Sequence, residues 1–258
     1  MHRKPEHDLL DFPDTLEKIP KRGIYLLPNL LTTAALFAGF YAIVAAMKGL
    51  YDTAAIAIFI AMIADSLDGR VARMTRTQSQ FGAHYDSMSD MASFGIAPAL
   101  VLYSWSLASL GKLGWLAAFL YAAGVALRLA RFNTQTHDKH YFQGLPSTAS
   151  AGFIGGMVWF FSSYNMAGHT VAIPVAIAAL LASACMVSTI RYHSFKSIDL
   201  KDRVSFMTIV IMVLLLAALA WYPPELLFAV FTIYLLSGPV MTLWQLNKMK
   251  KQRHHVPR

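Results

Sequence analysis

Eight long apolar runs divide this sequence, and they constrain its fold more than any other feature. Each run is close to the ~20 residues that a helix needs to cross a bilayer. A backbone in lipid must satisfy its hydrogen bonds within itself, so runs of this length predict transmembrane α-helices. We expect an all-α polytopic membrane protein with spans at 24–47, 53–74, 85–108, 113–132, 148–165, 170–190, 204–222 and 225–245.

The composition agrees with a membrane protein and excludes an ordinary soluble domain. Hydrophobic residues make up 56% of the 258 residues, charged residues only 14%, and the mean hydropathy is +0.47. The net charge of +8 is not a nucleic-acid signature, because the basic residues fall in short clusters between the apolar runs. Cys185 is the single cysteine, which excludes an intrachain disulfide. Residues 1–23 are polar and do not resemble a signal peptide.

The basic clusters alternate with the apolar runs and predict an orientation. With eight spans, 20 of the 22 Lys and Arg residues fall on one side of the membrane, and only Lys48 and Lys112 fall opposite. The positive-inside rule makes the richer side cytoplasmic. We therefore expect both termini in the cytoplasm.

Four carboxylates lie where the second span ends and the third begins. Asp65 and Asp68 are three residues apart, and Asp86 and Asp90 are four apart, so each pair shares a helix face. The predicted topology places all four in the cytoplasmic half of the membrane, which indicates a functional site. Crowded carboxylates require protons or a metal ion to neutralise them. Oxygen ligands of this kind favour Mg²⁺, Mn²⁺ or Ca²⁺ over zinc.

Small residues accompany the carboxylates on the same helix faces. Gly69 follows Asp68, Ala72 lies one turn further, and Gly82 lies one turn before Asp86. Small side chains leave room for a ligand to approach the backbone. Arg73 offers a guanidinium that can bind a phosphate oxygen.

The pattern D-x2-D-G-x2-A-R-x8-G-x3-D-x3-D over residues 65–90 resembles the signature of the CDP-alcohol phosphotransferases, and every position is filled. The resemblance implies an integral membrane enzyme with a CDP-linked donor, an alcohol acceptor, two divalent metal ions (Mg²⁺ or Mn²⁺) and CMP as a product. It also implies a homodimer and, for a bacterial protein, the cytoplasmic membrane with the site facing the cytoplasm.

The same resemblance implies a role for each residue of the pattern. Asp65, Asp68 and Asp86 would bind metal, and Asp90 would act as general base and also contact a metal. The CDP moiety would be held by a set of mostly small residues, namely Asp68, Gly69, Ala72, Arg73 and Gly82.

Three shorter motifs resemble the membrane-embedded phosphatidylserine synthases within that family. They are Pro28-Asn29, the Arg-Phe-Asn run at 131–133 and Gly144-Leu-Pro-Ser at 144–147. The resemblance implies CDP-diacylglycerol as donor and L-serine as acceptor. It divides the chain into an interfacial segment 1–23, a six-helix core 24–191, and two more helices with a basic tail at 192–258, which we expect to serve packing or dimerisation.

Polar residues outside the signature are further candidates. Asn29 and Thr32 on the first span either contact the CDP moiety or form interhelical hydrogen bonds, and both interpretations stay open. Arg128 and Arg131 end the fourth span, where they either anchor the helix at the interface or bind an acceptor carboxylate or phosphate. Ser147 begins the fifth span, and a helix N-terminus there is a ready anion site.

Two other functions remain open at this point. The same transferase chemistry would serve another acceptor, such as glycerol 3-phosphate, inositol or an inositol phosphate. Intramembrane carboxylates also mark ion paths, so a divalent-cation transporter is the remote alternative.

Overall fold

The computed structural model describes residues 26–134, 142–192, 210, 213 and 217–253. The segment 1–23 and most of the predicted span 204–222 lie outside these residues. The described part is helical, with α1 at Leu26–Met47, α2 at Tyr51–Thr75, α3 at Gln80–Asp90, α4 at Ala97–Trp105, α5 at Lys112–Thr134, α6 at Ser147–Ser163, α7 at Ala172–Val187 and α8 at Pro223–Arg253. One antiparallel pair of two-residue strands, β1 (Phe142–Gln143) and β2 (Arg191–Tyr192), links the chain before α6 to the chain after α7.

Several of the described helices have the length and apolarity of membrane spans. Four qualify by length and composition: Leu26–Met47, Lys112–Thr134, Gly168–Val187 and Pro223–Thr242. Exposed large apolar side chains such as Phe37, Phe119 and Ile177 cover their outer faces, as lipid-facing helices require. The chain is therefore an integral membrane protein.

Hydrogen bonds define the two ends of the helical bundle. At one end, which we call the far end, Tyr51 at the start of α2 donates to the carbonyl of Ser104 near the end of α4. At the opposite end, which we call the site end, Leu145 before α6 donates its N–H to the carbonyl of Cys185 near the end of α7. The starts of α1 and α6 and the ends of α2 and α5 all lie at the site end.

Serine hydroxyls join α1 to the α3–α4 segment. Ser89, Ser93 and Ser104 each donate to a backbone carbonyl of α1 at 3.1 Å. Small residues allow this approach: a Cβ added at Gly39 would lie 2.7 Å from the Cα of Ser93. Close backbone contact and hydroxyl bonds of this kind drive helix association in lipid. They hold the third apolar segment at a fixed height against α1.

The third apolar run differs in detail from the helix predicted over 85–108. The helix starts earlier, at Gln80, because the Ser79 hydroxyl caps it by accepting the N–H of Gly82 at 3.0 Å. A π-helical segment, Met91–Ile96, follows directly after Asp90. Such segments are rare and often occur at functional sites. A π-helix has more residues per turn than an α-helix. Asp90 and the residues before it are therefore rotated relative to α4, compared with an unbroken α-helix.

Helix α8 lies against α6 and runs antiparallel to it. A Cβ added at Gly156 would lie 3.0 Å from Phe228 Cα, and one added at Gly152 would lie 2.6 Å from the Phe231 ring. A larger residue at Gly156 would push against the α8 backbone, and one at Gly152 would displace the Phe231 ring, so glycine at both positions lets α8 pack this closely. The helix continues to Arg253, eight residues beyond the end predicted at 245.

Candidate active site

Three of the four signature carboxylates meet at the site end. One oxygen each of Asp65, Asp68 and Asp86 lies within 4.8 Å of the others. Helix α2 supplies the first two from successive turns, and α3 supplies the third. Asp68 is buried, with 5% of its surface exposed, whereas Asp65 and Asp86 are half-buried. The spacing inferred from the sequence thus produces a real cluster, compatible with a divalent metal site.

Asp90 lies next to these three carboxylates but is not one of the group whose oxygens lie within 4.8 Å of one another. Its carboxyl group lies within hydrogen-bonding reach of the Asp65 carboxyl group. Two carboxylates at that range repel unless a proton or a cation lies between them. Asp90 therefore occupies a position distinct from the three clustered carboxylates. It lies on α3, one turn beyond Asp86.

Helix α1 supports the cluster through Thr32. The Thr32 hydroxyl donates to Asp68 Oδ2 at 2.7 Å and also lies 3.1 Å from the carbonyl of Pro28. Thr32 is 4% exposed, and its own carbonyl accepts a hydrogen bond from Ser89. This arrangement favours the interhelical hydrogen bond over direct contact with a nucleotide, and it fixes one oxygen of Asp68.

The residues present fit a divalent metal ion. Asp86 Oδ1 is buried and has no hydrogen-bond partner among the described residues. A buried carboxylate oxygen is costly to leave without a partner, and a metal ion among Asp65, Asp68 and Asp86 would satisfy it. Three carboxylates and no nitrogen or sulfur ligand within the cluster match the preferences of Mg²⁺ or Mn²⁺.

The small residues of the signature differ in their surroundings. A Cβ added at Gly69 meets no atom within 4 Å, so open space adjoins the backbone beside Asp68. A Cβ at Gly82 would lie 3.5 Å from Asn29 Oδ1, which places Asn29 beside the start of α3. Ala72 is half-buried near the end of α2, and Arg73 is exposed. Gly69 and Ala72 thus lie on α2, which carries Asp65 and Asp68, and Gly82 lies on α3, which carries Asp86.

The two basic candidates, Arg128 and Arg131, have different hydrogen-bond partners. Arg128 Nη1 donates to the buried Ser147 hydroxyl at 3.2 Å, and Arg128 is close enough to Asp90 for electrostatic attraction. Its Nε is buried without a hydrogen-bond partner among the described residues. Arg131 instead donates to the carbonyl of Ser188 at 3.3 Å and ties α5 to the end of α7.

Sequence reasoning missed three residues that shape the site. Ser79 caps α3, and its position three residues before Gly82 is a helix-start signal that could have revealed it. Tyr85 forms a hydrogen bond with Thr33 at 2.9 Å, and Ser89 bonds to the α1 backbone. The sequence carries no comparable signal for the last two, because their partners are distant along the chain.

Comparison with known proteins agrees with this geometry. The family model described as CDP-alcohol phosphatidyltransferase matches residues 25–189. A Helicobacter pylori protein named CDP-diacylglycerol–serine O-phosphatidyltransferase is 34% identical over 235 residues, which cover 90% of this chain and 97% of that protein. A Mycobacterium leprae protein of the same name is 30% identical over 84% of this chain and 74% of its own length. An archaetidylserine synthase of Methanothermobacter thermautotrophicus is 34% identical over 64% of this chain and 69% of its own length.

The helical membrane fold, the carboxylate cluster and the similarity to these enzymes together identify a membrane-embedded transferase. The chain belongs to the CDP-alcohol phosphatidyltransferase family.

Proposed function

We propose that this protein is a phosphatidylserine synthase, which transfers the phosphatidyl group of CDP-diacylglycerol to the hydroxyl of L-serine. The observation that carries the serine assignment is the similarity, over nearly the full chain, to a protein named for that reaction. The position of Arg128 beside Asp90 supports it, because a guanidinium there can bind a carboxylate on the acceptor.

The four carboxylates divide the chemistry between them. Asp65, Asp68 and Asp86 would hold divalent metal ions, two by family resemblance. Held there, such ions would supply positive charge to offset the negative charge on the pyrophosphate and on the departing CMP. Asp90 accepts the proton of the serine hydroxyl as the oxygen attacks the phosphorus that bears diacylglycerol. The new bond joins serine oxygen to that phosphorus, and the bond to CMP breaks.

The remaining candidate residues orient the two substrates. Gly69, Ala72, Arg73 and Gly82 line the CDP pocket, with Asn29 at its edge. Arg128 binds the acceptor carboxylate, and Ser147 positions the guanidinium through its hydrogen bond. Thr32 acts through Asp68. Arg131 has a structural part in this scheme, since its guanidinium bonds to the backbone of Ser188.

The wider organisation belongs to the same proposal. Eight spans with both termini in the cytoplasm would open the site end to the cytoplasm, where CMP and serine are water-soluble. The chain would divide into the segment 1–23, the catalytic core 24–191 and the appended part 192–258, and the protein would form a homodimer in a bacterial cytoplasmic membrane.

The test is CMP release by purified protein supplied with CDP-diacylglycerol and Mg²⁺ or Mn²⁺. Separate reactions contain L-serine, glycerol 3-phosphate, inositol or inositol phosphate. We expect release with serine alone. Release with another acceptor would keep the metal site and overturn the synthase assignment. Metal flux into proteoliposomes without CDP-diacylglycerol would support the transporter alternative instead.

Asp90→Asn provides the matched control in the same assay. It removes the proposed base and keeps the size of the side chain. The variant should bind CDP-diacylglycerol as tightly as the parent protein and release no CMP. Equal loss of donor binding would assign Asp90 primarily to metal binding.

A further inference from the structure

Helix α8 lies outside residues 25–189, which the family model matches. The sequence predicts an apolar helix here with a packing or dimerisation role. Its contacts in the structure allow a more specific role, because they bring one tyrosine from the middle of α8 to the acceptor side of the site.

The packing of α8 on α6 determines the height of that tyrosine. Phe228 lies against Gly156 and Phe231 lies against Gly152. Helix α6 begins at the site end and runs away from it, so α8 runs towards the site end. Tyr234 is the next residue on this face, one turn beyond Phe231. The antiparallel register therefore brings Tyr234 level with the first turn of α6, which begins at Ser147.

Arg128 reaches the same place from α5. It donates to the Ser147 hydroxyl at 3.2 Å, and it interacts electrostatically with Asp90 and with Tyr234. The guanidinium is thus within electrostatic range of both the proposed base and the α8 tyrosine. Its buried Nε still lacks a hydrogen-bond partner among the described residues.

Tyr192 of β2 holds this part of α8 in place. Its ring lies 5.7 Å from the ring of Tyr234, and its hydroxyl donates to the carbonyl of Leu235 at 3.1 Å. A Cβ added at Gly238 would collide with the Tyr192 ring, so glycine is required one turn further along α8. Both contacts limit sliding and rotation of α8 next to Arg128.

We propose that Tyr234 forms one side of the acceptor pocket and positions Arg128 to bind the acceptor. This inference rests on the proposed function of Arg128. A phenol oxygen beside a guanidinium offers a hydrogen-bond acceptor, directly or through a water molecule, without adding negative charge. The positive charge of Arg128 then stays available for the acceptor carboxylate. Tyr234 is a positioning residue in this scheme, and α8 helps to determine which acceptor the enzyme uses.

Tyr234→Phe tests the proposal, because it removes the hydroxyl and keeps the ring that packs against Tyr192. KM and kcat are measured for CDP-diacylglycerol and for whichever acceptor releases CMP with the parent protein. Loss of a hydrogen bond to a charged group predicts an acceptor KM raised about ten- to hundredfold. The KM for CDP-diacylglycerol should stay within about twofold, since Tyr234 lies on the acceptor side.

Tyr164→Phe is the matched control. It removes a tyrosine hydroxyl that also joins α6 to α8, through a 2.9 Å hydrogen bond to Glu225, but at the far end. If α8 served packing alone, both variants would change the kinetics alike. An unchanged acceptor KM in Tyr234→Phe, or an equal change in Tyr164→Phe, would overturn the proposal.

A double-mutant comparison separates positioning of Arg128 from a direct contact with the acceptor. In an Arg128→Lys background, adding Tyr234→Phe should change the acceptor KM by less than about twofold, because the two residues act as one unit. Full additivity would contradict the positioning role. Because these constants are measured for whichever acceptor is active, failure of serine as acceptor would affect the proposed function and leave the Tyr234 result independent.

Discussion

The hydrogen bond from Thr32 to Asp68 shows how a residue outside the signature orients one within it. Asp68 is the most enclosed of the clustered carboxylates, and the Thr32 hydroxyl fixes one of its oxygens at 2.7 Å. Groups that orient metal ligands in this way commonly change metal affinity when they are removed. Thr32 is therefore expected to influence the metal rather than the nucleotide.

Thr32→Val tests this role, because valine keeps the shape of the side chain and loses the hydroxyl. The Mg²⁺ concentration that gives half-maximal activity should rise about tenfold or more. Thr33→Val is the control, since Thr33 is exposed and bonds to Tyr85 instead of to a carboxylate. A raised KM for CDP-diacylglycerol with unchanged metal dependence would place Thr32 in the nucleotide pocket instead.

At the residue scale, the sequence predicted the carboxylate cluster but not the hydrogen bonds that hold it in place. Spacing within one helix is enough to predict that Asp65 and Asp68 share a face. The link from Asp68 to Thr32 crosses 36 residues of sequence, and it depends on the rotation of two packed helices. Local periodicity carries no information about such a rotation, so the sequence leaves both interpretations of Thr32 open.

At the scale of helices, close approach between α1 and the π-helical segment determines the height of the acids on α3. Gly39 and Ser93 meet at this crossing, where an added Cβ would lie within 2.5–2.8 Å of Ser93 atoms. The apolar runs predicted α1, α2 and α5 to within a few residues, because burial in lipid requires only length and hydropathy. They did not predict the π-helical segment, which arises from packing against α1.

Gly39→Ala should destabilise the protein, because the added methyl group must displace the Ser93 backbone. Overpacking of this kind costs about 1–3 kcal/mol, measurable as a lower melting temperature in detergent. Gly69→Ala is the matched control, as its methyl group enters open space within a helix. That variant should keep its melting temperature and raise the KM for CDP-diacylglycerol. Equal melting temperatures for the two variants would contradict the close packing at Gly39.

At the scale of the whole molecule, the orientation in the membrane is predicted by combining the positive-inside rule with the positions of the helix ends. The carboxylates, Arg128 and Ser147 all lie at the site end, whereas Lys48 lies at the far end after α1. The charge pattern predicts that the site end faces the cytoplasm. The sequence predicts the side of the membrane, and the fold shows which candidate residues lie at the same end of the bundle.

Cysteine labelling measures this orientation. In a Cys185→Ser background, which removes the single native cysteine, Lys48→Cys should react with a membrane-impermeant maleimide from outside intact cells. Gln78→Cys, in the exposed turn between α2 and α3, should react only after the membrane is opened. Reversed accessibility would invert the proposed topology, and labelling of both from one side would contradict the prediction that α2 crosses the membrane.

The strand pair β1–β2 has a consequence for the order of assembly. It joins the chain before α6 to the chain after α7, and Gly144 donates to the carbonyl of Ile190 at 2.8 Å. The two helices between them thus form a closed hairpin that is complete before α8 leaves the ribosome, because synthesis proceeds from the N-terminus. Helix α8 must then dock last, onto the glycines of a hairpin already in the membrane. On the proposed role of Tyr234, the acceptor side of the pocket is therefore finished only once α8 has docked, later than the carboxylate cluster on α2 and α3.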